Sequence, residues 1–442
     1  MTVGDLPPAP ESWCRWRIFV GVRRTFQPGY GYMTSIWSDR LCPAIDASHR
    51  DQVEFLAALV RKPTENPPGD CAAHGAMTAD LLQGMGFDVV RHPVSARIVA
   101  ANGLISTTNI IARRRFGAGP VIALNGHGDV VPPGEGWSVD PYGAVIRDGK
   151  MFGRGVAFSK GDIATYAFAL KALEPFAADL KGTVELHITY DEESGGLTGP
   201  VWLLDRSLTR PDFVISAGST YNVVVALNGC LHLEIRVEGQ SAHAARPGLG
   251  ADALEAATKL LNALYSLRDG YRLICSDIDG IDHPTLVVGL ISGGITTNVV
   301  PDVVTMRVDR RIIPEEDVAK VESELVAVID AALEGLDGID VNIRRVLLAR
   351  PLTPMPGQEK LVAVLQRQAR EVLGFDIPVN GVPFFTDARF YAAAGIPTVL
   401  YGAGPRDLFD ARGHAADEHL VLNDLRAATK IVALTLADLL SS

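Results

Sequence analysis

Two residues apart, directly after the apolar run Val121-Ile122-Ala123-Leu124-Asn125, stand His127 and Asp129. A strand that ends in His-x-Asp projects both side chains from one edge of a sheet, and strand ends are where α/β proteins present reactive groups. Imidazole and carboxylate are zinc ligands, and a neighbouring acid can activate a bound water. In this reading His127 binds metal and Asp129 orients its ring. Glu192 and Glu193 follow another strand, Thr183–Tyr190; neighbouring carboxylates suit two roles, one as ligand and one as general base. His414 lies in a glycine-bearing loop, Gly413-His414-Ala415-Ala416-Asp417-Glu418, before the last helix, and by itself is a weak signal.

Elements of regular spacing must carry these groups. Gln52–Val60 holds Val53, Phe55, Leu56, Leu59 and Val60 at helical spacing, ended by Pro63; residues 71–85 repeat the pattern. Asn109–Ala112, Val121–Asn125 and Thr183–Tyr190 read as strands, and Tyr166–Leu173 as a helix. Their alternation predicts a sheet covered by helices on both faces. From about Asn228 the character changes. Leu231–Val237 alternates as a half-solvated strand, and the order β-α-β-β-α-β through Val341–Arg345 predicts a ferredoxin-like unit. The expected division is an extension over residues 1–45, a catalytic domain over 46–226 and 349–442, and a lid over 227–348. Residues 1–45, rich in Trp, Arg and Pro, have no sustained period; Met33 is the natural start if the arm is not native.

The chain's 442 residues allow two domains with ample cores, and 47% hydrophobic with 21% charged residues is ordinary for an α/β protein. A net charge of −11 argues against nucleic acid, which needs a basic face. No apolar run approaches 18 residues, so no membrane span is predicted. Cys14, Cys42, Cys71, Cys230 and Cys275 form an odd set without a CxxC; this reads as a reducing compartment, the cytoplasm, rather than a disulfide framework.

Taken together, the run Gly126–Trp137, Asp140-Pro141, Gly149–Gly155, Gly239–Pro247, Thr297–Pro301, Thr386-Asp387-Ala388-Arg389 and Gly395–Gly402 resembles one metallohydrolase family. It is the family of glutamate carboxypeptidases, aminoacylases, acetylornithine deacetylase and succinyl-diaminopimelate desuccinylase, and the resemblance covers Ser48 to the C-terminus. It implies a hydrolase-like catalytic domain, with a mixed sheet covered by helices, interrupted by an α+β lid that dimerises. It further implies His127, Glu193 and His414 as metal ligands, Glu192 as general base and Asp129 as support for His127. His243 would stabilise an oxyanion across a homodimer. Asn298, Arg311 and Arg389 would bind a substrate carboxylate or line its pocket.

Three departures alter that expectation. The family reads Gly-Arg-Gly-x-x-Asp, its Asp bridging two metals, and here Phe158 occupies the position. A second family acid falls at Gly218 in Ile215-Ser216-Ala217-Gly218-Ser219, and Phe385 replaces a family glycine. Two dications about 3.5–4 Å apart need a shared anion, which Phe158 cannot supply. One zinc is therefore expected, with manganese, cobalt or no metal as alternatives, and Phe158 and Phe385 are expected to line an apolar pocket. Asp162 reads as part of a capping box, Ser159-Lys160-Gly161-Asp162, rather than as a replacement ligand. Glu185 and His187 share one strand face and read as structural. The expected function is metal-dependent hydrolysis of an amide in a small carboxylate-bearing substrate, an N-acyl amino acid or dipeptide. The alternatives are metal-free proton-transfer chemistry on the same scaffold, or a ligand-binding dimer without catalysis.

Overall fold

The computed structural model describes residues 36–407 and 410–441; Met33, Cys14 and most of the expected N-terminal extension lie outside the described residues. The first element, α1, runs Ser38–Arg61. Trp37, Leu41 and Ile45 are buried in the same core as Phe55, Leu56 and Leu59. The boundary expected at residue 45 is therefore too late. Pro43 hid the helix in the sequence, because proline removes a donor from the helical ladder.

After α1 come α2 (Ala72–Gly84), β1 (Asp88–Pro93), α3 (Ala96–Ala101), β2 (Thr108–Arg115), β3 (Val121–His127), β4 (Val145–Arg147) and β5 (Lys150–Phe152). Next are α4 (Gly161–Ala172), β6 (Thr183–Thr189), α5 (Pro200–Asp205), β7 (Phe213–Ser216) and β8 (Val223–Leu227). The lid is β9 (Gly229–Glu238), α6 (Ala253–Tyr271), β10 (Thr285–Gly293), β11 (Val303–Ile312), α7 (Val318–Leu333) and β12 (Asp340–Ala349). The catalytic domain resumes with α8 (Gln358–Leu373), β13 (Val379–Val382), α9 (Ala388–Ala393), β14 (Thr398–Leu400), β15 (His419–Val421) and α10 (Leu422–Leu440).

The large sheet has the order β1-β2-β6-β3-β7-β14-β8-β13. Its centre, β6-β3-β7-β14, is parallel, while β1, β2 and β8 bring antiparallel pairings. Side chains alternate across it: Ile122 and Leu124 enter the core under α1, α4, α8 and α10, and Ala123 joins Val214 and Tyr391 on the other face. Burial on both faces explains why β3 reads as an unbroken apolar run. The lid sheet, β10-β11-β9-β12, is antiparallel throughout. Leu231, Leu233, Ile235 and Val237 of β9 pack on α6 and α7, leaving the other sheet face to polar side chains. That is the ferredoxin-like arrangement the alternation predicted.

No helix among the described residues is long and apolar enough to cross a membrane. Cys42, Cys71 and Cys230 are free thiols, but Cys275 is disulfide-bonded, so the expectation of wholly reduced cysteines fails there.

Candidate metal centre

The parallel strands β3 and β6 end side by side, with His127 opposite Thr189, so the segments leaving them share one rim of the sheet. His127 is nearly buried at the end of β3. Its Nδ1 lies 3.0 Å from the carbonyl oxygen of Asp129 and 3.3 Å from Asp129 Oδ1. With Nδ1 donating to these oxygens, Nε2 is the nitrogen left for a metal, and it faces Glu192 Oε2 at 4.0 Å. Asp129 has a second task. Its Oδ2 accepts from Asn66 Nδ2 at 2.9 Å and from the backbone N–H of Glu193 at 3.1 Å, tying the two ligand-bearing segments together.

Ligand atoms of His127, Glu192 and Glu193 all lie within 4.8 Å of one another. His414 reaches the group from the other side, Nε2 3.4 Å from Glu193 Oε1, on an exposed loop residue with φ of 61°. Burial and the facing Glu193 hold Glu192 well above the usual carboxylate range, although His127 opposes the shift. Burial alone would lower His127, but its bond to Asp129 and the charges of Glu192 and Glu193 carry it well above its ordinary value. Behind them, burial and the charge of Asp387 push Asp191 up to about 8, and burial and the charge of Asp129 push Asp387 up to about 6 against His127 and Arg389. All of these shifts express an excess of buried negative charge, which a cation relieves as a proton does. The donor set fits a divalent metal of the zinc type.

Of the two missing carboxylates, the first is replaced by a phenyl ring, and backbone packing leaves no room for the second. Phe158 is half-buried, and its ring edge lies 3.2 Å from where a Cβ on Gly404 would stand. A Cβ on Gly218 would stand 2.7 Å from Tyr401 N and 2.8 Å from Leu400 C. Asp162 does not join the ligand group; it is fully buried, and Oδ1 accepts from Ala403 N at 2.8 Å. The capping box is not formed. Ser159 instead turns to β3, where Oγ accepts from His127 N at 2.8 Å and donates to His127 O at 3.1 Å.

Glu185 and His187 form a buried network with Arg113, Thr209 and Tyr391, as their shared strand face suggested. Arg389 is buried and committed to backbone: Nη2 donates to Gly195 O at 2.7 Å and Nη1 to Thr386 O at 3.1 Å. Arg311 is held through Nε and Nη2 by Asp309, both at 3.0 Å to the nearer oxygen. The ring of Phe385 lies between them, 4.8 Å from the Arg389 guanidinium carbon and 5.7 Å from that of Arg311. His243 and Asn298 sit together on the lid, both exposed, joined through Ala244 N to Asn298 O and the bridge of His243 to Val299. Among the described residues no hydrogen bond or ion pair links these two to the ligand group.

Sequence reasoning missed Asn66 and Glu418. Glu418 is buried, bonds Arg154 Nη1 at 2.7 Å and accepts from Ala157 N at 3.1 Å, so it fastens the segment leading to Phe158. A lone acid four residues after His414 was the available signal for it.

Among curated proteins, the succinyl-diaminopimelate desuccinylase of Thioalkalivibrio sulfidiphilus is 30% identical over 396 residues, covering 86% of this chain and 96% of the relative. Among solved structures, the dipeptidase Dug1p of Saccharomyces cerevisiae superposes with a TM-score of 0.74 at 17% identity, covering 91% of this chain and 98% of its own. A dinuclear metal-binding M20 peptidase of Bacillus subtilis gives 0.63 at 17% identity, covering 89% and 99%. A model described as peptidase family M20/M25/M40 matches residues 123–438, a span that takes in His127, Asp129, Glu192, Glu193 and His414. The chain therefore belongs to the M20/M25/M40 peptidase family, hydrolases of amide and peptide bonds.

Proposed function

We propose that this chain hydrolyses the amide of a small carboxylate-bearing substrate, an N-acyl amino acid or a dipeptide, at a site for one metal ion. The observation that carries this reading is the convergence of His127, Glu192 and Glu193 on one buried point, with His414 beside Glu193. His127, Glu193 and His414 would hold the ion, zinc by preference, with Asp129 fixing the imidazole. A bound zinc supplies a Lewis acid for the amide carbonyl and lowers the pKa of a water. Glu192 takes the proton from the attacking water and returns it to the leaving nitrogen, a role suited to a carboxyl whose pKa burial has raised.

His243 and Asn298 act on the substrate from the lid of a second copy in this reading. The exposed apolar side chains of Val287, Leu290 and Ile291 on the sheet-edge strand β10 support such a homodimer, which sedimentation tests directly. Phe158 and Phe385 line the pocket. The cytoplasm is the proposed compartment.

Metal analysis by plasma mass spectrometry after zinc loading, paired with turnover of N-acyl amino acids and dipeptides, tests the whole assignment. One ion per chain is expected, lost in His127→Ala. Glu192→Gln should keep the ion and lower kcat by about 10²–10⁴-fold, the usual span for a general base. Two ions per chain, no ion, or undiminished turnover in Glu192→Gln would each defeat it.

A further inference from the structure

The lid sheet face turned away from α6 and α7 meets the catalytic domain. Because side chains alternate along β9, Cys230, His232 and Glu234 lie on that face while Leu231 and Leu233 enter the lid core. Strand register sets Asp309, His232 and Leu347 in one row across β11, β9 and β12, with Arg311 beside Cys230 in the next. The two rows meet the catalytic domain at two places. Leu347 Cδ1 lies 3.3 Å from the Cβ position of Gly195, two residues beyond Glu193, and Arg311 lies over Phe385. His232 is the register partner of Leu347 and lies one row from Arg311, the two residues that make these contacts.

The charge on this face is unequal. Asp309 is already the bidentate partner of Arg311, so that guanidinium is not an empty clamp. His232 Nε2 lies 3.4 Å from Asp309 Oδ2 but is not aligned for a hydrogen bond. The Cys230 thiol also meets the ring, and a third of the His232 side chain is exposed. The groups facing the ring are Asp309 and Arg311 from β11 and Cys230 from its own strand. Pairing with Asp309 pushes His232 up to about 9, so it is an imidazolium at neutral pH. His232 and Arg311 stand against the one carboxylate of Asp309, and Glu234 is likewise outnumbered by Arg307 and Arg344, so these groups are net positive, beside the aromatic face of Phe385.

We propose that His232 is a substrate-binding residue, which pairs with the carboxylate of a substrate whose apolar part lies against Phe385. The proposal rests on the amide-hydrolase reading for the kind of substrate, while its binding test stands apart from turnover.

The test titrates the full-length, zinc-loaded chain with N-benzoylglycine and with its primary amide by calorimetry at pH 7, in a Glu192→Gln background to suppress turnover. The acid should bind at least tenfold more tightly than the amide. His232→Gln should erase that preference by weakening the acid about tenfold with the amide unchanged, and His232→Lys should restore most of it. In the active enzyme His232→Gln should raise KM for acid substrates and leave kcat within about threefold. Equal binding of acid and amide, binding of neither, or an equal loss for both in His232→Gln overturns the proposal. Acid binding that depends on His232 without hydrolysis of any N-acyl amino acid or dipeptide would refute the amidohydrolase reading alone. Turnover with KM indifferent to His232 would refute this inference alone.

Discussion

Removing Glu418 should destabilise the chain far more than removing Glu418 and Arg154 together. Both side chains are almost wholly buried, with Arg154 1% and Glu418 2% exposed, and they meet at 2.7 Å. Glu418→Leu strands the Arg154 guanidinium in the interior and leaves the Ala157 N–H without its acceptor. Breaking a buried pair from one side costs about 3–5 kcal/mol. At about 2 °C per kcal/mol, the low end for large domains, the melting temperature should fall by about 6–10 °C. The pair itself is not a net stabiliser. Burial holds the Glu418 carboxyl above its ordinary range even with Arg154 and the amides of Ala157 and Gly155 drawing it down, so desolvation outweighs attraction. Arg154→Met with Glu418→Leu should therefore cost less than either change alone, since no charge is left unpaired. Thermal denaturation of the two singles and the double, with zinc content held equal, measures the cycle. A double mutant that loses the sum of the two singles would refute this account of the pair.

Phe158→Asp restores an anionic side chain beside the ligand group and should tighten metal at least tenfold in chelator competition; unchanged affinity would mean that the loop points it elsewhere. Gly218→Asp should not rescue anything, because its Cβ meets Tyr401 N and Leu400 C below 3.0 Å; a loss of several degrees in melting temperature is expected, and a neutral result would refute the packing argument. Glu185 is pulled down to about 2, burial opposing and His187, Thr209 and Arg113 prevailing. Its folded pKa lies below the unfolded value, so its stabilisation is complete above about pH 5 and is lost as pH falls through 2. Glu185→Gln should flatten that acid limb in urea titrations, and an unaltered limb would place the sensitivity in other groups.

The elements that carry the centre were legible because two-sided burial and one-sided burial write different patterns. β3 reads as unbroken Val-Ile-Ala-Leu, and β9 as strict alternation; each reports its own layer without reference to anything distant. The clustering of His127, Glu192 and Glu193 was legible for a related reason, since they follow adjacent parallel strands. What failed was partner choice across long separations. Ser159 and Asp162 have capping-box spacing, yet Ser159 bonds the backbone of His127, and Asp162 bonds Ala403, 241 residues away. The pairing of Arg154 with Glu418 spans 264 residues, and no local period encodes it. Arginines 311 and 389 were likewise read by type. A guanidinium suits a substrate carboxylate, but it suits Asp309 or a carbonyl of Gly195 equally well, and only the fold decides between them.

The absence of two carboxylates is built into backbone packing as well as into side chains. Gly218 and Gly404 meet directly, Gly404 N donating to Gly218 O at 2.8 Å, and the ring of Phe158 closes over Gly404. A side chain at 218 would push into the strand end at Leu400–Tyr401, and one at 404 would push into Gly218. Asp162 is seated on Gly402, where a Cβ would collide with its Oδ1. This glycine cluster is thus held by carboxylate-to-amide and amide-to-carbonyl bonds. On the proposed one-ion reading this explains why Glu192, Glu193, His127 and His414 stay in place without a bridging acid. Asp129 and Ser159 fix the imidazole and its strand, Asp129 also fixes the amide of Glu193, and Glu418 fixes the segment bearing Phe158. Reinstating Asp at 158 adds charge to this frame without loosening it. A carboxylate at 218 would instead need the contacts of Gly218 with Leu400, Tyr401 and Gly404 to open, so on the one-ion proposal the packing of these glycines stands beside Phe158 as a reason for the missing acids.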